Sequence, residues 1–446
     1  MNSTYPELII RDVCVIDVEH GARRPHQDVR IADRRILAVE PTGTAPADGV
    51  RVIDGRGRYA LPGLIDCHVH VAFNGFLGVQ SDFRRTLKQF LLHGVTTAVD
   101  FFTAGGSFPG SSAETVRDDV NAGTIEGPWL LTSYGCLNAP GGFCTCSVGD
   151  AAFEVVTMDD VQRHLERITR ARPDFVKIVY DDVFGTLPNL TPDLLAELIR
   201  QVHERGYRAA VHIATVQDAQ EAVSCGADIL GHGITGAIPP ELAKQMAQAG
   251  TVVIPTLSSY EARSLLRHRI ALPPFSPPDS VAEYQYRTRS IYEDKGQIEA
   301  YAEAFTEAAH TVAPLLDAGV RVVAGSDSGT WYTFPGDALH RELAIYTEQG
   351  VSPATALRMA TVDAAAAFNL EDRFGRLAPG LEASVLVLDE DPLADIHATR
   401  SVRGVILRGQ PLDLERLRAE ITAPTDVPAQ RLSEVPCSPH HLRVPG

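Results

Sequence analysis

From Leu61 onward the chain repeats one pattern: a short apolar run, a polar residue at its end, then a helical stretch. Runs ending near His70, Phe101, Tyr134, Tyr180, His212, His232, Pro255 and Asp327 alternate with amphipathic stretches such as 82–93, 158–172, 192–205, 216–225 and 297–318. Gly94, Gly206, Gly226, Gly250 and Gly319 follow helical stretches, where a C-terminal cap is expected. Strands separated by helices are forced into parallel pairing, and eight such units over about 300 residues predict an α/β protein built on a (β/α)8 TIM barrel. The rival, an open doubly wound sheet, would call for Gly-x-Gly-x-x-Gly after the first strand, and none is present.

Short β segments precede the repeat: 8–10, 13–16, 29–31, 36–39 and 51–53. Two more follow it, at 383–388 and 402–407. Because both sets flank the barrel, they are expected to join in a small β-sandwich domain formed by the N- and C-terminal segments. The predicted division is 1–60 for the N-terminal part of that domain, 61–370 for the barrel, 371–421 for its C-terminal part, and 422–446 for a Pro-rich surface tail.

In a barrel of this kind chemistry sits at the C-terminal ends of the strands. His68 and His70 close the first run, and residues two apart in a strand face one side. Two converging imidazoles suit a first-row divalent metal. Further runs end with His212, His232 and Asp327, and Lys177 lies inside the apolar stretch Phe175-Val176-Lys177-Ile178-Val179. Only four of the 40 basic residues are lysines: Lys88, Lys177, Lys244 and Lys295. A lysine among apolar residues tends to lose its proton. The neutral amine can take up carbon dioxide as a carbamate, an anionic two-oxygen ligand able to bridge two cations, which arginine cannot do.

His68-x-His70, Lys177, His212, His232 and Asp327, in this order on these strands, resemble the amidohydrolase superfamily. The flanks agree: 61–66 resembles that family's entry to strand one, Gly94-Val95-Thr96-Thr97 its second-strand entry, and 375–383 its return to the β domain. Ser384 departs from the family's frequent Asp, far from the proposed site. The resemblance spans about residues 8–410 and implies the binuclear type with a carboxylated lysine, similar to prolidases, N-acyl amino acid hydrolases and imidazolonepropionases. It implies that His68, His70 and Asp327 bind one metal, that His212 and His232 bind a second, and that carboxylated Lys177 bridges them. Zinc is the expected metal. It also implies a metal-bridging hydroxide, with Asp327 as the catalytic proton carrier.

Tyr180 and Tyr260 are candidate substrate contacts, and Arg263 is a candidate clamp for a substrate carboxylate. Asn74, Tyr134 and 256–260 also follow strands. The stretch 272–279, with Tyr284, Tyr286 and Tyr292 beyond it, lengthens the seventh connection enough to make a lid or specificity wall. Residues 138–144 are a second rim candidate. His93, His164, His203, His310 and His340 sit in helical stretches and are read as structural or surface residues.

A net charge of −17 leaves no basic stripe for nucleic acid. No apolar run reaches the roughly 18 residues of a membrane helix, and the start of the chain does not read as a secretory signal. Seven scattered cysteines read as reduced thiols. The expectation is a cytoplasmic enzyme with a small-molecule substrate, hydrolysing a C–N bond of an amide or cyclic amide; a homo-oligomer is left open. The same site could attack an ester, lactone or phosphotriester. A catalytically inactive scaffold is disfavoured because all six ligand positions are intact.

Overall fold

The computed structural model describes residues 7–44, 49–71, 82–106, 108–148, 151–265, 272–278, 295–330 and 333–424. The chain opens with five strands: Leu8–Asp17 (β1), Ala22–Ala32 (β2), Arg35–Pro41 (β3), Arg51–Asp54 (β4) and Tyr59–Pro62 (β5). The two segments expected at 8–10 and 13–16 form one continuous strand. Its register on β2 shifts between Ile10 and Val13. There Asp12 takes a φ of 57° and donates its N–H to Asp28 Oδ1 at 2.9 Å. This bulge absorbs the polar Arg11-Asp12 pair without ending the strand.

Ten strands follow in the middle of the chain: Leu64–Val69 (β6), Val95–Asp100 (β7), Trp129–Thr132 (β8), Cys136–Asn138 (β9), Ala152–Glu154 (β10), Val176–Val179 (β11), Ala209–His212 (β12), Ile229–Gly231 (β13), Val252–Ile254 (β14) and Arg321–Val322 (β15). They pair in two parallel sheets, β6-β7-β8 and β10-β9-β11-β12-β13-β14-β15. Every residue of β6, β7, β11 and β12 is buried, as parallel strands covered on both faces require. Hydrogen bonds also run between the sheets. Cys67 N–H reaches Ala324 O at 2.9 Å, and Asp327 N–H reaches His68 O at 2.7 Å. Asp174 N–H reaches Thr132 O at 2.8 Å.

Helices cover these strands with apolar stripes. Met158–Arg170 buries Val161, Leu165 and Ile168, one side at helical spacing, and starts in a capping box of Thr157 with Asp160. Pro192–Glu204 buries Leu195, Leu198, Ile199 and Val202 behind Thr191 and Pro192. Pro240–Ala249 ends at Gly250 with a φ of 71°, the cap expected there.

Three local expectations differ from the structure. Strands β9 and β10 occupy part of a stretch read as connection, because three-residue strands carry too little periodicity to recognise. The last run shortens to β15, and Asp327 is reached through irregular backbone tied to Val253, Met359 and His68. The helix read over 297–318 is two, Lys295–Ala309 and Val312–Asp317. Pro314 accounts for the break, since its ring clashes with the carbonyl four residues earlier, at His310.

The chain ends with Val385–Leu388 (β16), Val402–Leu407 (β17), Gln410–Pro411 (β18) and a helix at Leu414–Thr422. Strand β16 pairs antiparallel with β5, so both ends of the chain share one mixed sheet of order β18-β17-β16-β5-β1-β2-β3, with β4 against β1. Leu8, Ile10, Val29, Ile31, Val385 and Val387 form its core. The tail expected at 422–446 lies, beyond Pro424, outside the described residues, as do Asn74, Tyr284, Tyr286 and Tyr292.

Candidate metal centre

Strand β6 points His68 inward, and His70 follows one residue past its end. Both are buried, at 0% and 5% exposure. Lys177 on β11, His212 at the end of β12, His232 directly after β13, and Asp327 are buried too, and all six line one cavity. It encloses about 70 Å³, room for more than one water-sized species. One nitrogen each of His68 and His70 and one carboxylate oxygen of Asp327 lie within 4.8 Å of one another. The His68 and His232 rings are 4.6 Å apart and those of His212 and His232 are 4.1 Å apart.

The backbone around these residues is unusual. His232, Thr256 and Asp327 have φ values of 80°, 49° and 53°. Left-handed backbone at a β-branched threonine is costly, and such outliers gather at functional sites. Asp327 is held by its neighbours: its carbonyl accepts from the Thr330 and Thr333 hydroxyls at 2.6 and 2.9 Å. Its Oδ2 accepts from the Ser259 hydroxyl at 2.8 Å and from that of Thr330 at 3.0 Å. Asp66 fastens the first strand to this segment by accepting from Ser326 N–H and Oγ–H at 2.9 and 2.5 Å. Gly329, at φ 90°, passes so close to the first strand that a Cβ would lie 2.2 Å from His70 O, which excludes any larger residue there.

Each outer imidazole is oriented by a partner. His212 Nε2 is 2.9 Å from Asp181 Oδ2, and His232 Nδ1 is 2.9 Å from Thr256 Oγ1. His212 is thereby left with Nδ1, and His232 with Nε2, for any further bond. His68 lies flat on Phe101, with centroids 3.5 Å apart and planes within 5°. Lys177 Nζ sits 4.6 Å over the centre of the same ring.

Burial dominates the electrostatics. It pushes the Lys177 amine down from 10.5 to about 8. Burial, reinforced by the Lys177 charge, holds His68 well below the ordinary imidazole range, and burial lowers His212 and His232 as well. Burial alone would raise Asp327; the hydrogen bond with His70 and the nearby imidazoles overcome it and keep this carboxylate well below its usual value. These shifts favour neutral imidazoles at His68, His212 and His232 and an ionised carboxylate at Asp327, the forms that bind cations.

His68 Nδ1 and Nε2, His70 Nδ1 and Lys177 Nζ are buried without a hydrogen-bond partner among the described residues. Unpaired buried polar atoms are costly, and here they converge with a carboxylate. This donor set fits divalent cations of the zinc, manganese or cobalt kind.

Tyr260 lines the cavity, with its hydroxyl 3.4 Å from Gly233 O. Tyr180 turns away and hydrogen-bonds Glu221. Arg263 lines the cavity, 3.5 Å from Asp327 Oδ2. Asp181 was not among the residues singled out from sequence, yet it both lines the cavity and fixes His212.

The model of the amidohydrolase family matches residues 59–412. An imidazolonepropionase from Rubrobacter xylanophilus is 25% identical over 401 residues, covering 81% of this chain and 84% of that protein. Adenine deaminase 3 of Rhizobium meliloti is 23% identical, covering 86% of this chain and 55% of its own length. The crystal structure of a Xaa-Pro dipeptidase with methionine bound in its active site has the same fold: the TM-score is 0.74 at 19% identity, over 91% of this chain and all of that one.

Proposed function

Since the chain belongs to the amidohydrolase family, we propose that it is a metal-dependent hydrolase of C–N bonds in amides or cyclic amides. The observation that carries this reading is the meeting of six metal-capable side chains, drawn from five strand ends, in one buried cavity. In this reading residues 61–370 close into a (β/α)8 barrel, which the bonds from Cys67 to Ala324 and from Asp327 to His68 support. Residues 1–60 and 371–421 then form the accompanying β domain.

His68, His70 and Asp327 would hold one divalent cation, His212 and His232 a second, and Lys177 carboxylated by carbon dioxide would join them. When bound, such a pair would supply hydroxide at neutral pH and polarise the scissile carbonyl. The protein's own groups do the rest. Burial lowers the Lys177 amine and raises its neutral fraction; the lone pair of that neutral form adds to the carbon of carbon dioxide, an N–C bond forms as one C–O π bond breaks, and the nitrogen's proton passes to solvent. Asp327 accepts the proton of the attacking water and returns it to the leaving nitrogen. Asp181 and Thr256 fix the two outer imidazoles. Phe102 and Phe143, beside His70 and His212, keep bulk water from the reacting groups. Tyr260 remains a substrate contact in this reading, whereas the Tyr180 hydroxyl is taken by Glu221.

Elemental analysis of the purified protein, with a panel of dipeptides, N-acyl amino acids and cyclic amides set against esters, lactones and organophosphates, tests the proposal. Bound transition metal and C–N hydrolysis that a chelator abolishes are expected. Amide hydrolysis by metal-free protein, or turnover confined to esters, would overturn it.

A further inference from the structure

Thr256 starts the helix Leu257–Ser264, yet its side chain makes no capping bond there. A threonine in that place ordinarily has extended backbone, and its hydroxyl oxygen accepts an N–H of the first turn. Thr256 instead has φ 49° and ψ 41°, and its Oγ1 lies 2.9 Å from His232 Nδ1. The first N–H groups of the helix are met from another element. Glu342, in the helix Asp337–Glu348, is fully buried. Its Oε1 accepts from Leu257 N–H at 2.8 Å and its Oε2 from Ser258 N–H at 2.6 Å. A carboxylate at a helix N-terminus is favoured by the helix dipole, and charge-assisted hydrogen bonds are the strong ones.

The turn that Glu342 grips reaches both sides of the cavity. Ser258 Oγ–H donates to Ser326 O at 3.2 Å, and Ser259 Oγ–H donates to Asp327 Oδ2 at 2.8 Å. Residues 256–259 thus touch His232 on one side and the Ser326-Asp327 segment on the other. Glu342 is not among the described residues that line the cavity. Its influence on the site therefore runs through this turn.

We propose that Glu342 is a positioning residue of the metal centre: it caps the helix in place of Thr256, which leaves the Thr256 hydroxyl oxygen to accept from His232 Nδ1–H, and it holds Ser259 on Asp327. The proposal rests on the metal reading above. With Nδ1–H engaged, His232 presents the lone pair of Nε2 to a cation. Without the Glu342 carboxylate, the N–H groups of Leu257 and Ser258 stand in a buried place with no acceptor. The Thr256 hydroxyl oxygen is the acceptor an N-terminal turn ordinarily uses. Turning to those groups, it releases His232.

The test is a double-mutant cycle read in zinc affinity, by competition with a chromogenic chelator. It is run at about pH 8.5, because burial pushes the Glu342 carboxyl up to about 7 and it is ionised there. Glu342→Gln keeps the size of the side chain but offers one acceptor oxygen in place of two. In the wild-type background it should weaken zinc binding about 10–100-fold, the scale of losing a group that orients a metal ligand. In a background carrying Thr256→Val and Ser259→Ala, the same change should cost no more than about threefold, because the contacts through which it acts are already gone. Loss of a negative charge, or looser packing of the two helices, would act equally in both backgrounds. Should Glu342→Gln fail to fold, Glu342→Asp, with both oxygens on a shorter arm, is put through the same cycle. Equal factors in the two backgrounds, or no loss in either, would refute the positioning role while the metal reading stands. A wild type that binds no transition metal would overturn the metal reading and the positioning role with it.

Discussion

Replacing Lys177 by methionine should stabilise the metal-free protein at neutral pH. The Lys177 amine is 2% exposed, has no hydrogen-bond partner among the described residues, and burial moves it from 10.5 to about 8. Each pH unit between the unfolded and folded values is worth about 1.4 kcal/mol, so the buried ammonium costs the folded state about 3 kcal/mol. The sign follows from proton counting. Between about pH 8 and 10.5 the unfolded chain carries the proton and the folded one does not, so stability rises with pH across that window. Below about pH 8 both states are protonated and the cost is fully present; above 10.5 it is gone. Methionine keeps the length of the side chain without the charge. Urea unfolding of wild type and Lys177→Met, in chelator-treated and carbon-dioxide-free buffer, should give a gap of about 3 kcal/mol at pH 7 that closes by pH 10.5. Taking the difference between the two proteins cancels other titrating groups. Restoring zinc and bicarbonate should invert the order, because only wild type can then form the bridge. A gap that is flat across pH 8–10.5 would refute the reasoning.

Asp327→Asn should lower kcat by about 10²–10⁴-fold while part of the metal is retained, as measured by elemental analysis beside steady-state kinetics. Thr256→Val removes the hydroxyl on His232 Nδ1 and should weaken metal binding about 10–100-fold, read by competition with a chromogenic chelator. Phe101→Ala takes away the ring on which His68 lies and over which Lys177 sits; it should cost about 3–5 kcal/mol of stability in urea unfolding and reduce metal content.

The cavity's histidines and Asp327 were legible because they close apolar runs, Lys177 because it interrupts one, and a strand's two-residue period predicts where its side chains point. The same rule, pursued one step further, separates Tyr180 from Asp181. Counting from Lys177, Tyr180 is three residues on and faces the opposite side, while Asp181 is four on and faces the same side. Tyr180 indeed meets Glu221 outside, and Asp181 meets His212 inside. The orienting role of Thr256 was beyond reach, because it depends on a left-handed backbone at a β-branched residue, which no local propensity predicts. Strands β9 and β10 were missed for want of length, and the irregular end of the eighth run because Gly325-Ser326, the turn residues that mark it, were read as part of the strand leading to Asp327.

The pairing of β5 with β16 has a consequence for how the polypeptide is made. Arg58 and Asp389, hydrogen-bonded at 3.2 Å beside that pairing, are 331 residues apart. At roughly 5–20 residues per second on a ribosome, the early strand waits tens of seconds for its neighbour to emerge, with an open hydrogen-bonding edge on display. Nascent chains halted before residue 385 keep that edge and should be prone to stick to one another, which makes about the last seventh of the chain a guard against clumping as much as a part of the finished sheet.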